Sequence, residues 1–86
     1  MLLTLWRHGE AAYGRPDSQR VLTERGVQHI RATVAFYLSL CHQQGLCMPT
    51  LCTHSPHVRT QQTARLIASD LGLSDVVSED LLAPGQ

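Results

Sequence analysis

Apolar and polar positions along this 86-residue chain alternate with two different periods. Leu2-Leu3-Thr4-Leu5-Trp6 is a short, nearly continuous apolar run bounded by Gly9, the pattern of a buried strand. Residues 10–20 are polar, with Gly14 and Pro16 as breakers, and predict a loop. Thr23 is a good N-cap residue, and after it Val27, Ile30, Val34, Leu38 and Cys41 recur at three- and four-residue spacing. That stripe predicts an amphipathic helix, which Gln44-Gly45 ends and Pro49 keeps from continuing. Thr50-Leu51-Cys52-Thr53 predicts a second short strand. Ser55-Pro56 predicts a helix start, with Ser55 as N-cap and Pro56 at the first helical position. Val58, Ala64, Ile67, Ala68 and Leu71 supply that helix with an apolar face, and Gly72 stops it. Val76-Val77 is a candidate third strand, after which Leu81-Leu82-Ala83-Pro84-Gly85-Gln86 predicts no further helix.

The order β-α-β-α-β argues a parallel sheet with right-handed crossovers. In open parallel sheets ligands bind beyond the carboxyl ends of the strands. His8 follows the first predicted strand and residues 55–59 follow the second, so two loops distant in sequence are expected to meet at one rim.

At this length the chain makes one small domain, residues 1–86, and 43% apolar residues suffice for a core. A formal net charge of +0 argues against general binding to nucleic acid or an anionic membrane. All seven basic residues are Arg, as a compositional bias would produce. Cys41, Cys47 and Cys52 are odd in number and no signal peptide precedes them, which fits a reducing cytoplasm better than a disulfide framework. No apolar stretch approaches the ~20 residues that span a bilayer. Cys41, His42, Cys47, Cys52 and His54 do not have the spacing of a zinc site, so no metal is expected.

The chemistry concentrates in two places. Arg7-His8-Gly9 puts an imidazole, a possible nucleophile, beside a guanidinium, which grips phosphate through two parallel hydrogen bonds. Arg59 is expected about one turn into the second helix, its side chain leaning back toward a helix N-terminus that itself favours an anion. Arg7, Arg59 and that N-terminus around His8 would form a pocket for a dianionic phosphoryl group.

Leu5-Trp6-Arg7-His8-Gly9-Glu10-Ala11, then Leu22-Thr23-Glu24-Arg25-Gly26, then Ser55-Pro56-His57-Val58-Arg59-Thr60-Gln61-Gln62-Thr63-Ala64, in that order, resemble the histidine phosphatase superfamily. Within it, Asp17-Ser18-Gln19-Arg20-Val21-Leu22-Thr23 and Leu82-Ala83-Pro84-Gly85 resemble the small phosphohistidine phosphatases of the SixA type. The resemblance implies a phosphoglycerate-mutase-like three-layer α/β sandwich with a mainly parallel sheet, here truncated to a β-α-β-α-β portion. It implies His8 as the nucleophile that becomes phosphorylated, Arg7 and Arg59 as ligands of the phosphoryl oxygens, and Arg20 as a weaker third phosphate contact. No cofactor is implied. The implied partner is a phosphohistidine-containing protein or a small phosphorylated substrate.

The family pattern continues for about as many residues again, through a fourth strand and a second histidine that completes the pocket. His29, His42, His54 and His57 do not occupy that position, and His29 and His42 are expected on a helix surface. The chain therefore looks like the N-terminal half of a phosphatase domain. Glu10, Asp17, Glu79 and Asp80 all remain open as the acid that protonates a leaving group. The expected activity is hydrolysis of protein phosphohistidine or of a small phosphomonoester. The alternative is a catalytically incomplete phosphate-binding or interaction module. A phosphoglycerate mutase fits less well, because there is no room for long substrate-covering insertions.

Overall fold

The computed structural model describes residues 3–82. Two helices pack against each other, and the second of them packs against a parallel pair of strands. Helix α1 spans Glu24–Gln44 and helix α2 spans Val58–Leu71. Strand β1, Cys52–His54, runs parallel to β2, Val76–Ser78, in the register Cys52 to Val76, Thr53 to Val77 and His54 to Ser78. Helix α2 is the crossover between them, as a parallel pair requires. Short 3-10 turns at Asp17–Gln19 and Asp80–Leu82 complete the described elements.

Helix α1 starts and stops on its local signals. The Thr23 hydroxyl accepts the Gly26 N–H at 2.9 Å, and Gly45 closes the helix at φ 65°. Gly72 closes α2 in the same way at φ 75°. The predicted stripe faces inward. Ile30, Val34 and Cys41 are buried, and Ile30 and Val34 meet Ile67 of α2 in the core, with Trp6, Leu38, Leu66 and Leu71 packed around them. Small Ala64 and Ala68, both buried, allow α2 to approach closely.

Three expectations are corrected. Residues 3–6 form no strand: among the described residues the sheet contains only β1 and β2, so the first apolar run has no ladder to join. It lies instead along α1, where Trp6 meets Tyr37 edge-to-face at 5.2 Å and Thr4 Oγ1 is 3.2 Å from the Tyr37 hydroxyl. The second strand begins two residues later than its apolar pattern suggested, because the ladder starts where Cys52 N–H reaches Asp75 O at 2.9 Å. The N-cap of α2 is His57, not Ser55. The Ser55 hydroxyl meets the Thr60 hydroxyl at 2.6 Å, and α2 has no side-chain cap bond at its start. Arg59 is consequently the second residue of α2. Leu2, Ala83, Pro84, Gly85 and Gln86, which entered the predicted first strand and chain end, lie outside the described residues.

Candidate active site

The segment carrying Arg7, His8 and Gly9 is fastened to α2 by side chains of the third sequence motif. Gly9 N–H donates to Thr63 Oγ1 at 3.1 Å, and the same hydroxyl donates to the Arg59 carbonyl at 2.7 Å. One turn of α2 therefore carries Arg59 at its start and holds the backbone beside His8 at its end. Leu22 N–H donates to Gln62 Oε1 at 2.8 Å, so the loop between Gly9 and Leu22 is stapled at both ends by adjacent residues of α2. The loop is also closed across its base, by Ala12 N–H to Val21 O at 2.7 Å and Thr23 N–H to Glu10 O at 2.9 Å. Gly26 completes the docking. A Cβ there would run into the Glu10 carbonyl oxygen and lie 2.9 Å from Glu10 N. The Arg-His-Gly, Thr-x-x-Gly and Gln-Thr motifs are thus one packing unit.

His8 is exposed, and its Nδ1 lies 2.7 Å from the Gly9 carbonyl oxygen. A carbonyl oxygen only accepts, so Nδ1 carries the proton and donates. That assigns the neutral ring's lone pair to Nε2, the nitrogen free to act as a nucleophile. Arg7 is exposed and makes no hydrogen bond or ion pair among the described residues.

Arg59 is only 7% exposed. Its Nη1 donates to the Asp17 carbonyl oxygen at 2.6 Å and its Nη2 to Asp17 Oδ2 at 3.3 Å. A buried guanidinium needs such partners, because an unpaired charge in a poorly solvated place is costly. Asp17 also lies 3.4 Å from Arg20 Nη1 and 3.7 Å from His57 Nδ1. Desolvation pushes the Asp17 pKa up, but the hydrogen bond and charge of Arg59, then Arg20 and the charge of His57, more than offset it and hold the carboxyl below its ordinary 3.8.

Arg20 serves the loop. Its Nε and Nη2 donate to the carbonyls of Ala12 at 3.0 Å and Ala11 at 3.2 Å, and its guanidinium stacks 4.4 Å over the Tyr13 ring. Each terminal nitrogen of Arg20 keeps one further N–H. The four carboxylates left open by the sequence have distinct surroundings. Glu10 accepts from the Thr23 hydroxyl at 2.9 Å and pairs with Arg25 at 3.8 Å, at the start of α1. Asp17 faces Arg59, Glu79 accepts from Leu81 N–H at 3.1 Å, and Asp80 opens the last 3-10 turn. Of the histidines, His29 and His42 are exposed on α1 as expected. His54 is buried and its Nδ1 donates to the Ser55 carbonyl at 2.6 Å.

The sequence reading left His57 and Asp17 without a role at Arg59. A signal for His57 was present, since Ser-Pro-His-Val-Arg sets an imidazole two residues before the arginine. Asp17 lies 42 positions from Arg59, and no local pattern announces that contact. Among the described residues no group of His, Cys, Asp and Glu is arranged to hold a metal ion, and no helix is long and apolar enough to cross a membrane.

The model of the histidine phosphatase superfamily (branch 1) matches residues 3–83. Among curated proteins none matches the chain. Two solved structures are similar over most of it, both of proteins provisionally assigned as the phosphohistidine phosphatase SixA. The one from Agrobacterium tumefaciens has a TM-score of 0.69 at 23% identity, covering 92% of this chain and 50% of that one. The one from Nakamurella multipartitia has a TM-score of 0.60 at 25% identity, covering 91% and 41%. The chain thus spans half or less of the length of these structures. Their likeness establishes an α/β fold of the phosphoglycerate-mutase type, of which this chain covers half or less.

Proposed function

The chain belongs to the histidine phosphatase superfamily (branch 1), and from that membership we propose that residues 1–86 carry the phosphoryl-accepting part of one phosphohistidine phosphatase domain. His8 is the nucleophile. Its Nε2 attacks the phosphorus, the bond to the substrate's nitrogen or oxygen breaks, and the electron pair leaves with that atom, which takes up a proton. Water then attacks the phosphohistidine, releasing inorganic phosphate and restoring Nε2. Arg7 and Arg59 bind the phosphoryl oxygens, and Arg20 adds positive charge from behind Asp17. Fixed cations of this kind stabilise the charge that develops on a transferring phosphoryl group. The chemistry asks for no cofactor and no metal.

The observation that carries this reading is the 2.7 Å contact of His8 Nδ1 with the Gly9 carbonyl, which puts the lone pair of the neutral ring on Nε2, on a segment tied to the Arg59 turn. A protein phosphohistidine suits the site better than an alkyl phosphate. Its P–N bond is labile once the nitrogen is protonated, so it needs less acid assistance, and both Glu10 and Asp17 are already engaged by other groups.

A second reading, a phosphate-binding or interaction module without turnover, is favoured by one observation. Leu3, Leu5, Phe36 and Leu81 are between 68% and 86% exposed, apolar side chains that a partner could cover. Turnover separates the two. Incubation with a phosphodonor, an alkaline quench and mapping of the label are expected to find phosphate on His8, and His8→Ala to lose turnover by several orders of magnitude. Label on another residue, or normal turnover in His8→Ala, would refute the phosphatase reading. Phosphate binding with no label at all would support the module.

A further inference from the structure

Two side-chain nitrogens among the described residues are buried without a hydrogen-bond partner, and both stand at the start of α2: His57 Nδ1 and Arg59 Nε. The side chains are 13% and 8% exposed. Leaving a buried polar nitrogen unpaired costs more than a made hydrogen bond returns; Arg59 Nε always donates and His57 Nδ1 donates in its Nδ1–H form, so the two together can receive an acceptor. The position is already outlined by an anion. Asp17 Oδ2 stands 3.3 Å from Arg59 Nη2 and 3.7 Å from His57 Nδ1, so it bonds the guanidinium but falls short of the imidazole. Asp17 itself is 61% exposed and free to swing toward solvent.

We propose that His57 is a phosphoryl-binding residue, whose Nδ1–H takes one oxygen of the phosphoryl group held by Arg59 while the Asp17 carboxylate gives way to it. The inference rests on the reading of Arg59 as a phosphate ligand. A carboxylate offers two coplanar oxygens, whereas a phosphoryl group offers three in a tetrahedral array. The third allows Arg59 Nη2, Arg59 Nε and His57 Nδ1 to be satisfied together. The guanidinium does not lose its place when the carboxylate leaves, because Nη1 stays bonded to the Asp17 backbone carbonyl at 2.6 Å. The displaced carboxylate keeps Arg20, now 3.4 Å from its other oxygen. Asp17 is therefore an internal competitor that guards a buried cation until a phosphoryl group arrives.

Titrating the 86-residue chain with inorganic phosphate, followed by NMR of the His57 ring and the Arg59 Nε–H, tests this. Both signals are expected to move with one common Kd. His57→Phe is expected to weaken phosphate binding about tenfold, the loss of one hydrogen bond to a charged group. His57→Asn places an amide N–H near the Nδ1 position and is expected to recover most of it. Asp17→Asn, which removes the competing charge, is expected to tighten binding severalfold. The inference is overturned, with the Arg59 reading intact, if phosphate moves the Arg59 signal but leaves the His57 ring unmoved, or if His57→Phe binds as tightly as the parent chain. Phosphate that moves neither signal overturns both. Should His57→Phe fail to fold, the parent chain's signals and Asp17→Asn decide.

Discussion

Thr63 is the residue through which the His8 segment is coupled to the turn of α2 that presents Arg59, and replacing it isolates that coupling. Its hydroxyl accepts from Gly9 N–H at 3.1 Å and donates to the Arg59 carbonyl at 2.7 Å. Thr63 is 4% exposed and Gly9 is buried, so water cannot substitute freely for the lost oxygen. Thr63→Val keeps the shape and removes only the hydroxyl. The Arg59 carbonyl retains the helical ladder, so the damage falls on Gly9 N–H, now a buried donor without an acceptor. Such a group costs about 1–3 kcal/mol. If the Gly9 amide exchanges by local release of the loop from α2, its protection should fall by about five- to 150-fold. Amide hydrogen exchange read at Gly9 measures this directly. Thr63→Ser, which keeps the hydroxyl, should stay close to the parent chain. Equal Gly9 protection in Thr63→Val and Thr63→Ser would show that the hydroxyl does not hold the loop. It would also remove the link between Arg59 and the backbone beside His8.

Gly26→Ala drives a methyl group into the Glu10 carbonyl and should destabilise the chain by about 1–3 kcal/mol in thermal or denaturant unfolding; an unchanged midpoint would mean that the loop does not pack on α1 as described. The Asp17 carboxyl lies below its ordinary 3.8, so its bonds to Arg59 and Arg20 stabilise the fold above that value and are lost as pH falls through the lowered one. Asp17→Asn should therefore flatten the acid limb of stability against pH below 3.8, and an unaltered limb would exclude Asp17 as its source. Arg59→Lys should weaken binding of inorganic phosphate by at least about tenfold, because an ammonium cannot reproduce a planar fork that also holds the Asp17 carbonyl; unchanged affinity would remove Arg59 from the site.

What was legible in the sequence was local. Thr23, Gly45 and Gly72 act through bonds to residues a turn away, and the periodic stripe of α1 needs only a neighbour to bury against. What was not legible depended on distant partners. The run around Leu3 and Leu5 has strand composition, but strand structure needs a paired edge, which the described residues do not provide. The start of α2 lies at His57 rather than Ser55, whose hydroxyl meets Thr60, a contact that local capping patterns do not announce. His8, Arg7 and Arg59 were singled out from motif spacing. The reasons for Gln62 and Thr63 emerged only once Leu22 and Gly9 were seen against them. Asp17, read as one loop carboxylate among four, is the group facing the buried arginine, because the loop folds its 3-10 turn against α2.

The position of the phosphoryl group on the His8 ring tests the central claim most directly. Nδ1 is bonded to the Gly9 carbonyl, so transfer from a phosphodonor should give the Nε2-phosphorylated isomer alone, distinguishable from the Nδ1 isomer by its nitrogen and phosphorus NMR signals. Phosphate on Nε2 of His8 is the predicted result. Phosphate on Nδ1, or on a histidine other than His8, would contradict the tautomer and the nucleophile together.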